Sequence, residues 1–234
     1  IRTCADHVPS YQESSDLMSL PGGAGRTADP EHISRGEAIA VGFKNLMFSE
    51  GFDDFSSAVC HLEDGVATIT CACAEVGQGF VTLAQQITRE ILGVEEVVLA
   101  PAATETVGSA GSTSASRQTW MSGGAVQKAC EEVRLKLLQR ITEEHEISID
   151  DLVLVEGQVL SLNGDFSMSI DTATENPLEA RVEYRHAPTF PLDENGQGDA
   201  HVSFAFAAHR AVVDVDPELG LVKVVELVTS QDVG

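Results

Sequence analysis

Asp64-Gly65-Val66-Ala67-Thr68-Ile69-Thr70-Cys71-Ala72-Cys73-Ala74-Glu75-Val76-Gly77-Gln78-Gly79-Phe80 is the stretch on which the fold turns. Asp-Gly between apolar runs is a strong hairpin signal, because both residues tolerate the positive φ of a tight two-residue turn. It predicts a hairpin of strands over 57–63 and 66–73. Glu75-Val76-Gly77-Gln78-Gly79 then breaks the strand. Phe80, Leu83, Ala84, Ile87 and Ile91 follow at helical spacing, with Gly93 as the stop.

Working outward, Ala38, Ala40 and Gly42 alternate with Ile39, Val41 and Phe43, as in a strand. Downstream, 96–100 reads as a short strand. A hydroxyl-rich run follows, Gly108-Ser-Ala-Gly111-Ser112-Thr113-Ser114-Ala115-Ser116-Arg117, and then a helix with Met121, Ala125, Ala129, Val133, Leu137 and Ile141 on one face. Later segments predict a hairpin of 152–155 and 158–160 about Glu156-Gly157, an alternating 180–184, and two long strands, 202–215 and 221–229. Those long strands meet at Pro217-Glu218-Leu219-Gly220. The expected class is α+β, with helices packed on mixed or antiparallel sheets in strand-strand-helix units. The expected division is a lead-in over 1–35, a first unit over 36–145 and a second over 146–234.

An internal echo supports the repeat. Asp64-Gly65, strand, Glu75-Val76-Gly77 matches Leu219-Gly220, strand, Asp232-Val233-Gly234. A helix is expected where the second copy stops. The chain also begins without Met, and it is expected to be a piece of a longer protein.

Charge narrows the function. With 14 basic and 37 acidic residues, the formal net charge of −23 argues against a nucleic-acid or anionic-membrane surface. Five scattered cysteines without a CxxC point to buried small hydrophobes in a reducing, cytoplasmic setting, and Cys71 and Cys73 are expected on one strand face. The seven histidines show no metal-ligand spacing, and no Walker loop, dinucleotide fingerprint or nucleophile elbow is present.

Two positions carry chemistry. Glycines flanking Gln78 allow close backbone approach, and its amide can both donate and accept; equally, the turn is a plain strand-to-helix link with Gln78 in water. The Gly108–Arg117 run can grip an anion at a helix start, or serve as a Gly/Ser linker with an ordinary cap. Any phosphate would rely on amides, hydroxyls and dipoles, with Arg117 the nearby cation.

These motifs together, Ala74–Phe80, then Gly108–Gly123, then Gln231-Asp232-Val233-Gly234, resemble the molybdenum-cofactor-binding subunit of the xanthine dehydrogenase and aldehyde oxidase family, in its bacterial form. The resemblance implies that Gly77, Gln78 and Gly79 contact molybdopterin. It implies that Gly111, Ser112, Thr113, Ser114, Ala115 and Ser116 hold the pterin and its phosphate, with Arg117 as a further contact. It also implies a cofactor in plain or cytosine dinucleotide form, FAD and 2Fe–2S centres on partner subunits, and a purine or aldehyde substrate hydroxylated with oxygen from water. The family's catalytic glutamate lies downstream of the Asp-Val-Gly segment, so no catalytic residue is expected here and the isolated chain is expected to be inactive. Arg35-Gly36-Glu37 has similar letters but sits at the wrong end. The competing expectation is a stand-alone binding or assembly module without redox activity.

Overall fold

The computed structural model describes residues 1–11, 21–22, 30–101 and 111–232. The chain divides into two compact units: Ile1–Asn45 with Ser203–Gly234, and Leu46–Val202. These are cut differently from the segments 36–145 and 146–234, because strands near the two ends of the chain pair with each other.

The Leu46–Val202 unit is built on a four-stranded sheet. Strands β2 (Phe55–Glu63) and β3 (Val66–Cys71) form the expected antiparallel hairpin, from Ala58 opposite Cys71 to Glu63 opposite Val66. Asp64 and Gly65 have φ of 47° and 74°, the paired left-handed geometry that Asp-Gly favours. Strand β4 (Val97–Leu99) adds to β3 in parallel, and β8 (Leu178–Arg185) adds to β2 antiparallel, giving the order β4-β3-β2-β8. A parallel neighbour needs a crossover, and α2 (Phe80–Leu92) supplies it.

Helix α3 (Gln118–His145) runs over the same sheet. Its buried stripe of Met121, Ala125, Ala129, Val133, Leu137 and Ile141 is the one legible in the sequence. It meets Ala58, Cys60 and Leu62 of β2, Ile69 of β3 and Ala84 and Leu92 of α2 in one core. Each large aliphatic chain buried there contributes about 1.5–3 kcal/mol. A small third sheet joins β5 (Leu152–Val155), β6 (Gln158–Ser161) and β7 (Ser167–Ser169), followed by the short α4 (Ile170–Ala173). The last two elements carry no sequence periodicity long enough to read.

The other unit is a three-stranded sheet in the order β1-β9-β10, from β1 (Ser34–Leu46), β9 (Ser203–Asp216) and β10 (Leu221–Asp232), with the short α1 (Arg2–Ala5). Strands β9 and β10 are antiparallel with a bulge between Val224 and Glu226. Their turn is held by Asp216, whose Oδ1 accepts from the amides of Glu218 and Leu219, both at 3.0 Å. Strand β1 is longer than the alternating 37–43 stretch. Arg35 extends it with a two-pronged pair to Asp214 at 2.7 and 2.9 Å, and Glu37 accepts from Arg210 at 2.8 Å. Glu37 is therefore an element of sheet pairing. Val233 and Gly234, the end of the sequence echo, lie outside the described residues, as does the Gly108–Ala110 part of the hydroxyl run.

Candidate functional site

Strand β3 stops at Cys71, two residues before the sequence pattern suggests. Where β2 continues to Phe55, its carbonyl accepts from the Arg117 guanidinium at 2.9 Å. The chain then passes through Cys73 into the first turn. Gly77 and Gly79 take φ of 98° and 82°, and a Cβ at either would meet nothing within 4 Å, so both glycines face open space. Gly79 is the cap residue of α2.

Two side chains organise this turn, and both bond within it. The Glu75 carboxylate accepts from the amides of Gly77 (2.9 Å), Gly79 (3.1 Å) and Val81 (3.0 Å). These bonds, the one from Val81 foremost, hold its carboxyl below the usual carboxylate range. Gln78 folds back: its Oε1 accepts from Val76 N, and its Nε2 donates to Ala74 O, both at 2.7 Å. The amide that the sequence marks as a ligand contact thus also braces its own turn.

The second turn is arranged from behind by Arg117. This side chain is wholly buried. Its Nε donates to Asp54 Oδ2 at 2.9 Å, Nη2 donates to Asp54 Oδ1, and Nη1 donates to Ser112 O at 3.0 Å. The Phe48 ring lies 5.7 Å away. Asp54 is itself only 4% exposed, so each charge depends on the other. A Cβ at Gly111 would come within 3.1 Å of the guanidinium, which explains a glycine there. The structure therefore places Arg117 behind the loop and paired to a carboxylate. Ala115 and Ser116 follow with φ of 54° and 50°, and Ala115 O accepts from Met47 N at 3.0 Å. Helix α3 begins after this kink with no side-chain cap on its first turn among the described residues.

Cys73 joins the two turns. Gln78 Nε2 lies 4.0 Å from its sulfur, and the Thr113 hydroxyl lies near enough to favour its thiolate. The line continues inward. Gln118 Nε2 reaches Thr113 Oγ1 (3.5 Å) and Ser112 O (3.0 Å), Ser122 donates to Gln118 Oε1, and Ser122 shares a 2.8 Å bond with Ser56 of β2. Burial pushes the Cys73 thiol up to about 11, so at neutral pH it is a protonated spacer and a poor nucleophile. Cys73 lies outside the strand and is partly exposed, whereas Cys71 is buried; the two do not form the common strand face expected of them.

The structure thus brings Gln78 and Thr113 to one side chain, although 34 residues of sequence separate the two turns' starts at Gly77 and Gly111. Asp54, Glu75 and Cys73 were not legible as parts of the site. Glu75 carried the one available signal, an acid two residues ahead of glycine amides at a helix start. Among the described residues no cluster of His, Cys, Asp or Glu is arranged to hold a metal ion. The two turns present backbone amides, hydroxyls and the side-chain amides of Gln78 and Gln118.

The chain is similar to known proteins over most of its length. The sequence pattern of the molybdopterin cofactor-binding domain matches residues 12–234. The chain is 26% identical to the 6-hydroxypseudooxynicotine dehydrogenase complex subunit gamma of Paenarthrobacter nicotinovorans, covering 85% of this chain and 25% of that protein. It is 30% identical to the nicotine 6-hydroxylase large subunit of the same organism, covering 73% and 21% respectively. The chain therefore spans about a quarter of the length of these relatives. Among solved structures, reconstituted CO dehydrogenase from Oligotropha carboxidovorans superposes with a TM-score of 0.72 at 17% identity, over 87% of this chain and 26% of that one, a likeness of fold. With the family pattern running over nearly its whole length, this chain belongs to the molybdopterin cofactor-binding domain family.

Proposed function

We propose that this chain is the part of a molybdenum hydroxylase subunit that grips molybdopterin between the turns at Gly77–Gly79 and Gly111–Ser116. The observation that carries the reading is a pair of glycines that face open space, Gly77 and Gly79, with Gln78 and Thr113 both close to the Cys73 side chain between the two turns. The residues fit such a group. Gly77 and Gly79 allow close approach of backbone to ligand, Gln78 offers a donor and an acceptor, and Ser112, Thr113, Ser114 and Ser116 offer hydroxyls. The first amides of α3, which no side chain among the described residues caps, favour a phosphate. Arg117 acts through Ser112 as a strut, since its charge is already matched by Asp54.

When bound, the molybdenum centre supplies the oxygen-transfer and two-electron chemistry. This chain's residues bind and orient it, and the general base lies elsewhere in the full protein; on this reading the isolated chain does not turn over substrate. Partner subunits of a cytoplasmic complex would carry the FAD and 2Fe–2S centres that supply onward electron transfer; relatives named as a large subunit and as subunit gamma of a complex support the presence of other subunits. Among purines, aldehydes and related compounds, those two names favour a nitrogen-containing organic substrate over a simple aldehyde. Whether the pterin carries the cytosine dinucleotide depends on space beyond the second turn.

Molybdenum and pterin analysis of the full-length protein tests this directly. Near-stoichiometric molybdenum and pterin are expected. Protein that is folded, expressed with cofactor available and free of pterin would instead support the stand-alone binding or assembly module.

A further inference from the structure

The start of α2 has the ingredients of an anion site: glycines in left-handed conformations, amides of Gly77, Gly79 and Val81 pointing together, and the positive end of a 13-residue helix. Those amides already hold an anion, the Glu75 carboxylate, at 2.9, 3.1 and 3.0 Å. Gln78 completes the same closure through Val76 and Ala74. Among the described residues no side chain bonds the amides of Gln118, Thr119 or Trp120 at the start of α3. We propose that Glu75 is a positioning residue that serves as the resident anion of the first turn, so that the turn meets the cofactor through Gln78 and its glycines while the cofactor's phosphate is left to the second turn.

This inference rests on the molybdopterin reading for its second half, but the first half stands on the chain alone. The carboxylate satisfies the helix-start amides and fixes the path of the backbone on both sides of Gln78. Removing it frees the amides, loosens the turn and opens a place where a foreign anion can sit. A neutral isostere does not replace it, because one face of an amide donates where the turn requires acceptance.

The test compares the wild type with Glu75→Ala and Glu75→Gln in the full-length protein. Amide signals of Gly77, Gly79 and Val81 are followed while inorganic phosphate, and separately acetate, is added. In the wild type these signals are expected to stay in place. In Glu75→Ala they are expected to shift saturably, and acetate should restore wild-type-like positions. Pterin retention after dilution should fall in both variants by a factor on the order of ten, and acetate should recover part of it in Glu75→Ala. Wild-type amides that shift with phosphate as the variant's do would overturn the proposal, as would full pterin retention in both variants. Should Glu75→Ala fail to fold, the wild-type titration and Glu75→Gln still decide. Wild-type protein lacking pterin would sink the cofactor reading while leaving the amide result to judge Glu75.

Discussion

Helices α2 and α3 both start from glycine-rich turns, yet the chain closes them by opposite means. At α2 an exposed carboxylate, Glu75, folds onto the amides from two to six residues upstream of them. At α3 no side chain among the described residues caps the first amides, and a buried ion pair, Arg117 with Asp54, shapes the loop from behind. The first device is local, exposed and easily titrated. The second joins residues 63 positions apart and is fully desolvated. The contrast teaches that one sequence signature, small residues before an amphipathic helix, covers both a turn closed by its own carboxylate and one shaped by a distant buried ion pair.

The largest expected effect comes from breaking the buried pair. Asp54→Ala leaves the Arg117 guanidinium uncompensated in the interior and should cost about 3–5 kcal/mol. A denaturant melt should show it, and a loss under about 1 kcal/mol would mean that water reaches the pair. Gly111→Val should come next. A branched side chain at φ of 63°, with its Cβ 3.1 Å from the guanidinium, forces either strain or displacement of Arg117 and should cost about 1–3 kcal/mol. Its stability loss should be strongly non-additive with Asp54→Ala, since both act on one group.

Gln78→Ala should leave the melt within about 1 kcal/mol of wild type, because its bonds are exposed. Cofactor content should nevertheless fall, and full molybdenum occupancy with full activity in the intact protein would argue against Gln78 as a contact. The smallest effect is a pH dependence confined to α2. Helix-start amides hold the folded Glu75 carboxyl below its ordinary value. Its stabilisation is therefore complete above the unfolded carboxyl's pKa and is lost as pH falls through the lower folded value. Amide exchange at Gly77 and Gly79 should quicken on acidification through that window, with Gln118 to Met121 unaffected.

Much of this was legible in advance. The Asp64-Gly65 turn, α2 with its Gly93 stop, the buried stripe of α3 and the long β9 and β10 strands all follow from patterns shorter than one element, where local sterics and burial periodicity agree. Both candidate turns were legible for the same reason. The roles inside them were less so. Gln78 reads as an outward-facing amide, yet in the structure it braces Val76 and Ala74; Arg117 reads as a phosphate ligand, yet it lies buried against Asp54. Nothing in the letters marks Cys73 as the joint, because that role depends on β3 ending at Cys71 and on Thr113 arriving from a distant loop.

The sequence by itself determined the class of fold, the two glycine-rich turns and their order, since each depends on dihedral preference and hydrophobic period over a few neighbouring residues. Tertiary structure alone decided that strands far apart in the chain share a sheet, that Asp54 neutralises Arg117, and that Gln78 and Thr113 come close to one thiol. Those outcomes depend on which distant groups are desolvated together, a quantity that no short window of sequence contains.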